Sequence, residues 1–119
     1  MILETIAADG YVIRPEALMG CLQKHPKVKA IILCNPSNPT GCVSDKVALE
    51  KVAAVIEGFP RVLVLADEIY EQLTYDVPHV SFASLPGMFD RSVHMYFPCL
   101  KSFTIDYIYK LHWNRSRLT

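Results

Sequence analysis

Polar side chains follow two apolar runs of the sequence, and their types and spacing could do chemistry. The first run ends just before Asn35, and Asn38 follows it closely; each of these asparagines precedes a proline. The second run, of five apolar residues, ends just before Asp67, and Tyr70 stands three residues later. A carboxylate that emerges from an apolar strand is costly to desolvate unless it is paired. Asp67 therefore implies a cationic partner.

Each of these residues also has an ordinary structural interpretation. Asp67 could cap the turn that follows its strand, and Tyr70 could be a core tyrosine. Asn35 and Asn38 could belong to plain turn chemistry, because the neighbouring prolines remove backbone donors and stiffen the loop. For each residue taken alone, both interpretations stay open.

The segments around these residues predict a strand, a helix and a second strand. Short, nearly continuous apolar runs are typical of strands buried on both faces of a parallel sheet. Residues 43–58, which lie between the two runs, predict a helix with Ser44 or Asp45 as its N-cap. In open parallel sheets, ligands bind outside the carboxyl ends of the strands. We therefore expect Asn38 and Asp67 to face one cleft.

Further elements are predicted on either side of this unit. An earlier helix begins near Pro15, which suits the first helical position, and ends at Pro26. The first six residues could form a strand, and residues 71–75 a short helix or strand. A further strand is expected at residues 92–95.

Composition favours a small-molecule partner over a nucleic acid or a membrane. The chain has 119 residues, of which twelve are basic and twelve acidic. It has no basic stripe, no apolar run of membrane-spanning length and no signal-peptide pattern at its start. The four cysteines are widely spaced without a Cys-x-x-Cys pair, which favours reduced thiols in an intracellular protein. We predict no metal site.

The apolar run followed by Asp67 and Glu68 also resembles a motif of another class of protein. An apolar strand ending in Asp-Glu resembles the segment that holds magnesium in P-loop ATPases. That motif needs a Gly-x-x-x-x-Gly-Lys-Ser/Thr partner, which these 119 residues lack. The sequence therefore does not favour the ATPase interpretation.

The two polar motifs together resemble those of one enzyme family. Asn-Pro-Ser-Asn-Pro-Thr-Gly at 35–41, followed by Ala-Asp-Glu-Ile-Tyr at 66–70, closely resembles the class I/II aminotransferases of the aspartate aminotransferase fold, known as fold type I of the pyridoxal-phosphate enzymes. The order, the spacing and the intervening helix all match. Residues 81–88 are also similar to a subgroup that includes plastid and bacterial aspartate/prephenate aminotransferases.

The resemblance implies a fold, a cofactor and roles for three residues. The fold would be three-layer α/β/α with a mostly parallel sheet, and residues 1–95 would form part of the large domain that binds pyridoxal 5'-phosphate. Asp67 would pair with the protonated pyridine nitrogen, so that the ring can accept electrons from the substrate carbanion. Asn38 and Tyr70 would donate hydrogen bonds to the phenolate oxygen of the ring. The bond between Asn38 and Pro39 would be cis.

The family also needs a lysine that forms a Schiff base with the cofactor and then shuttles the α-proton. Lys101 is the candidate, and the alternative is an ordinary surface lysine. Its surroundings depart from the family pattern, because Leu100 replaces the usual serine and Tyr109 replaces the usual phosphate-binding arginine. We therefore predict that residues 96–119 are a divergent tail that is not native family sequence, as a shifted reading frame, a retained intron or a truncated gene model would produce.

The resemblance thus implies a pyridoxal-phosphate-dependent aminotransferase, which moves an amino group between an amino acid and a 2-oxo acid. The chain is expected to be a fragment that is inactive alone. The alternative is a non-enzymatic remnant or binding module that does not hold the cofactor productively. Full-length members would be homodimers that bind neither nucleic acid nor membrane, and the compartment would be cytoplasmic or plastid.

Overall fold

The computed structural model describes residues 2–95, which form two helices, three strands and three single turns of 3₁₀ helix. The helices are α1, Pro15–Lys24, and α2, Lys46–Glu57. The strands are β1, Ala30–Cys34, β2, Leu63–Asp67, and β3, Ser92–Met95. The 3₁₀ turns cover Ala7–Asp9, Phe82–Ser84 and Phe89–Arg91.

The three strands form one parallel sheet in the order β1, β2, β3. Cys34 at the end of β1 is the register partner of Asp67 at the end of β2, and Asp67 is in turn the partner of Met95 at the end of β3. All three strands therefore end at the same edge. This arrangement confirms the predicted α/β fold with a parallel sheet, and it confirms the strand expected at residues 92–95.

Local sequence signals set the ends of both helices. α1 begins with Pro15 at its first position, where a backbone N–H would have no acceptor within the helix, and His25 is its C-cap. α2 is capped by Asp45, whose Oδ1 accepts a hydrogen bond from the backbone N–H of Ala48 at 2.8 Å. Both predicted helices are confirmed, and Asp45 rather than Ser44 is the N-cap.

Both helices pack on one face of the sheet. Leu33, Val64 and Ala66 point to this face and are almost fully buried. The apolar sides of the helices complete the core with Leu18, Leu22, Leu49, Val52, Ala53 and Ile56. Side chains alternate along a strand, so Ile32 lies on the opposite face, where it is 70 % exposed. Residues 2–95 thus contain the sheet and one covering layer of helices.

Two short sequence predictions are wrong. Residues 2–6 form no strand, because only Leu3 of this segment packs against the core. Residues 71–75 form the end of a turn and an irregular segment rather than a helix or a strand, and the two large apolar side chains there, Leu73 and Tyr75, are exposed. Among residues 2–95, no helix has the length and apolar character that a membrane span needs.

Candidate functional site

A closed loop follows β1 and is held by a buried asparagine. Asn35 is 2 % exposed, and its Oδ1 accepts a hydrogen bond from the backbone N–H of Ser44 at 2.8 Å. Its Nδ2 donates to the carbonyl of Ser44 at 3.5 Å. Asn35 therefore has the structural role that turn chemistry predicts. The bonds Asn35–Pro36 and Asn38–Pro39 are both cis; the second was predicted and the first was not.

Backbone hydrogen bonds within this loop bring Asn38 to its tip. The N–H of Ser37 donates to the carbonyl of Cys42 at 2.9 Å, and the carbonyl of Ser37 accepts from the N–H of Gly41 at 2.7 Å. Gly41 has a φ of +69°, a conformation that glycine adopts without steric penalty. The loop is therefore closed from within, and the exposed side chain of Asn38 is presented at the strand-end edge of the sheet.

Asn38 contacts Tyr70 across the edge of the sheet. Nδ2 of Asn38 donates a hydrogen bond to the hydroxyl oxygen of Tyr70 at 3.4 Å, although the two residues are 32 positions apart. The loops after β1 and β2 therefore meet, as the parallel register of their strands requires. This contact confirms the prediction that the polar ends of the two strands lie together at one edge of the sheet.

Asp67 closes β2 and carries an unsatisfied buried oxygen. Its backbone carbonyl accepts a hydrogen bond from the N–H of Asn35 at 3.0 Å. Its side-chain Oδ1 is buried, and no described residue donates a hydrogen bond to it. A desolvated carboxylate oxygen without a donor is costly, so the cationic group of a ligand would stabilise it. If Asp67 capped the following turn through Oδ1, a backbone N–H would donate to that atom, and no described residue does so.

Sequence reasoning assigned no role to Glu68, which is the most deeply buried carboxylate of the described chain, at 1 % exposure. Its Oε1 accepts a hydrogen bond from the backbone N–H of Phe82 at 2.7 Å. Its Oε2 lies 2.6 Å from Nε2 of His94, within ion-pair distance. The motif itself could not reveal this role, because Phe82 lies 14 residues downstream and His94 on another strand.

Glu71 extends this group of polar side chains. Glu68, Glu71 and His94 each place one potential ligand atom within 4.8 Å of the others. Two ligands of one metal ion, each bound at about 2.0–2.2 Å, are normally separated by about 3 Å or more. The 2.6 Å separation of the Glu68 and His94 atoms is instead that of a direct contact. We therefore interpret the group as a carboxylate–imidazole pair.

Arg91, which precedes β3, is a second residue that the sequence analysis missed. Its guanidinium donates hydrogen bonds to the carbonyls of Ile56 and Val62, both at 2.8 Å, and to the carbonyl of Phe59. Burial lowers the pKa of Arg91, and the nearby carboxylate of Glu57 opposes this effect. A cation beside the last carbonyls of a helix is favourable. Arg91 thus joins the end of α2 to the start of β3.

Comparison with known proteins decides the family. The family model described as aminotransferase class I and II matches residues 4–103, which is most of the chain. The chain belongs to this family. The aminotransferase match includes Lys101, which, like the rest of the predicted tail at 96–119, lies outside the described residues.

Individual aminotransferases resemble this chain in sequence and structure. Over 94 residues it is 42 % identical to an aspartate aminotransferase of Pinus pinaster and 44 % identical to a bifunctional aspartate aminotransferase and glutamate/aspartate-prephenate aminotransferase of Petunia hybrida. Each alignment covers 78 % of this chain and 19 % of the relative. The aspartate aminotransferase from Thermus thermophilus with maleate superposes with a TM-score of 0.71 at 30 % identity, over 79 % of this chain and 23 % of that one. The chain thus spans about a fifth of the length of its curated relatives.

Proposed function

We propose that this aminotransferase chain carries the ring-contacting edge of a pyridoxal 5'-phosphate site. The observation that carries the proposal is Oδ1 of Asp67, which is buried and receives no hydrogen bond from any residue in 2–95. A protonated pyridine nitrogen would supply both the missing donor and the compensating positive charge. The bound cofactor supplies an electron sink for the bond that breaks at the α-carbon of the substrate.

Asn38 and Tyr70 supply the second half of this edge. Their Nδ2 and hydroxyl groups are 3.4 Å apart, so both can donate to one oxygen that lies beside them. In this arrangement the tyrosine hydroxyl donates to the ligand while it accepts from the amide. Two donors on one phenolate oxygen stabilise its ionised form. The residues present therefore fit the cofactor at both its nitrogen and its phenolate oxygen.

Lys101 is our proposal for the residue that links the cofactor covalently and moves the α-proton of an amino-acid substrate. Tyr109 stands where the family places an arginine for the phosphate. A tyrosine cannot make the charged, bidentate contact that an arginine makes with phosphate. We therefore propose that the 119-residue chain alone does not transfer amino groups to 2-oxo acids, and that productive transfer belongs to the full family architecture.

Titration of the purified 119-residue chain with pyridoxal 5'-phosphate, followed by cofactor absorbance, tests the proposed site. We expect saturable binding that Asp67→Asn weakens by about tenfold, because a charge-assisted hydrogen bond is lost. Asp45→Asn is the matched control: it also removes one carboxylate, and asparagine is an equally good N-cap.

Equal affinities of wild type and Asp67→Asn would contradict the assignment of Asp67. Absence of saturable binding by the wild-type chain would instead support the non-enzymatic alternative, a remnant or binding module that does not hold the cofactor. The two failures are thus distinguishable in one set of titrations.

A further inference from the structure

We propose that Glu68 is a positioning residue, which fixes the carboxyl end of β2 so that Asp67 and Tyr70 hold the geometry of the cofactor site. The effect of Glu68 on cofactor binding rests on the proposed function. Glu68 is the next residue after Asp67, but because side chains alternate along a strand it points to the core side of the sheet. It therefore acts on the site through the backbone rather than by contact with a ligand.

Three polar groups of Glu68 make hydrogen bonds to other parts of the chain, and the fourth, Oε2, lies within ion-pair distance of His94. Its N–H donates to the carbonyl of Met95 at 2.9 Å, and its carbonyl accepts from the N–H of Glu71 at 2.9 Å. Oε1 accepts from the N–H of Phe82 at 2.7 Å, and Oε2 lies 2.6 Å from Nε2 of His94. One residue thus joins β2 to β3, to the turn that follows β2 and to the 3₁₀ turn at residues 82–84.

The burial of Glu68 makes this arrangement rigid. A carboxyl group that is 1 % exposed has little water to replace a lost partner, so breaking one of its contacts leaves a polar atom unsatisfied in the protein interior. Phe82, whose backbone N–H donates to Oε1 of Glu68, is also 1 % exposed and belongs to the buried core. The carboxylate is therefore confined to one place.

Glu68 lies in the sequence between Asp67 and Tyr70, the two proposed cofactor contacts at the end of β2. Asp67 is joined to Glu68 by a peptide bond, and Tyr70 lies inside the turn that the hydrogen bond from Glu71 to Glu68 closes. A change in the backbone at Glu68 would therefore move both. The loop that carries Asn38 is closed by the pair of hydrogen bonds between Asn35 and Ser44, and the N–H of Asn35 joins it to the carbonyl of Asp67.

Three variants separate positioning from general loss of stability. Glu68→Ala removes both carboxylate contacts, whereas Glu68→Gln keeps the volume and an acceptor for the N–H of Phe82. Val52→Ala is the control, because Val52 is a buried core residue of α2 that makes no part of the strand-end edge. Urea unfolding of each variant gives its global stability, so that local effects can be compared after correction for it.

Amide hydrogen exchange of the full chain without cofactor is the first measurement. In Glu68→Ala we expect the amides of Glu71 and Phe82 to exchange at least about tenfold faster than in Val52→Ala after the stability correction, since local openings are set by local contacts. Equal exchange of Glu71 and Phe82 in the two variants would overturn the proposed fixation of the strand end.

Cofactor binding is the second measurement. Glu68→Ala should weaken pyridoxal 5'-phosphate binding by about tenfold, because small displacements of positioned groups are costly. Val52→Ala should leave the affinity within about twofold of the wild type. Glu68→Gln should bind the cofactor nearly as tightly as the wild type. The pH midpoint of the bound ring's absorbance should fall in Glu68→Ala, as it would if Asp67 were misplaced. Unchanged affinity and midpoint would overturn the positioning role. A wild-type chain that does not bind the cofactor would overturn the proposed function instead, and the exchange experiment would still decide whether Glu68 fixes the strand end.

Discussion

The side chains of Asn38 and Tyr70 meet at 3.4 Å across the carboxyl-end edge of a parallel sheet. Asn38 belongs to the loop after β1 and Tyr70 to the turn after β2, so the contact depends on the positions of both segments. The contact shows that two motifs separated by a whole helix form one surface. Asp67, the register partner of Cys34, lies at the same edge.

Removal of the tyrosine hydroxyl should weaken cofactor binding without unfolding the chain. Tyr70→Phe keeps the ring and loses one hydrogen-bond donor, which contributes about 1 kcal/mol, or roughly fivefold in affinity for pyridoxal 5'-phosphate. Tyr75→Phe is the control, since Tyr75 is an exposed tyrosine outside the site. Titration of both variants checks this prediction, and equal affinities would contradict a direct role for the Tyr70 hydroxyl.

The buried amide of Asn35 should matter for stability far more than the exposed amide of Asn38. Asn35→Ala leaves the N–H of Ser44 without its acceptor, and we expect a loss of about 1–3 kcal/mol in the free energy of unfolding. Asn38→Ala changes an exposed residue and should alter that free energy by less than about 0.5 kcal/mol. Urea unfolding followed by circular dichroism measures both. A larger loss for Asn38→Ala than for Asn35→Ala would reverse the assignment of structural and binding roles.

Arg91 should be a stability residue rather than a surface cation. Arg91→Met removes the hydrogen bonds from the guanidinium to three carbonyls between the end of α2 and the start of β2, and we expect a loss of about 2 kcal/mol or more in the free energy of unfolding. Arg61→Met removes the same charge at an exposed position and should change it by less than about 0.5 kcal/mol. Thermal or urea unfolding of the two variants provides the comparison, and similar losses would show that the three hydrogen bonds contribute nothing specific.

The 119-residue chain should not transfer amino groups between an amino acid and a 2-oxo acid. The contacts proposed here are those to the cofactor ring, and Tyr109 replaces the arginine expected for its phosphate. An assay with aspartate or glutamate as donor and 2-oxoglutarate or oxaloacetate as acceptor measures this. Steady turnover that Lys101→Ala abolishes would prove the prediction wrong and would establish Lys101 as the catalytic lysine.

The elements that local sequence signals determine were predictable. Pro15, Asp45 and the apolar runs gave the helices and strands nearly to the residue, and the spacing of the polar motifs gave their shared edge. The contacts of Glu68 and Arg91 were not predictable, because their partners are backbone groups and side chains brought close only by the tertiary fold. Carbonyl acceptors have no sequence signature, so the sequence does not distinguish an arginine that binds them, such as Arg91, from an arginine exposed to solvent.

The protonation state of the bound cofactor ring tests the central claim most directly. Pyridoxal 5'-phosphate labelled with ¹⁵N in the ring reports by NMR whether its nitrogen carries a proton, and the measurement can be made on the chain at neutral pH. We predict a protonated nitrogen in the wild type and in Asp45→Asn, and an unprotonated one in Asp67→Asn, because the proposed site relies on Asp67 for the compensating charge. The same nitrogen shift in wild type and Asp67→Asn would contradict the assignment of Asp67 as the partner of the ring.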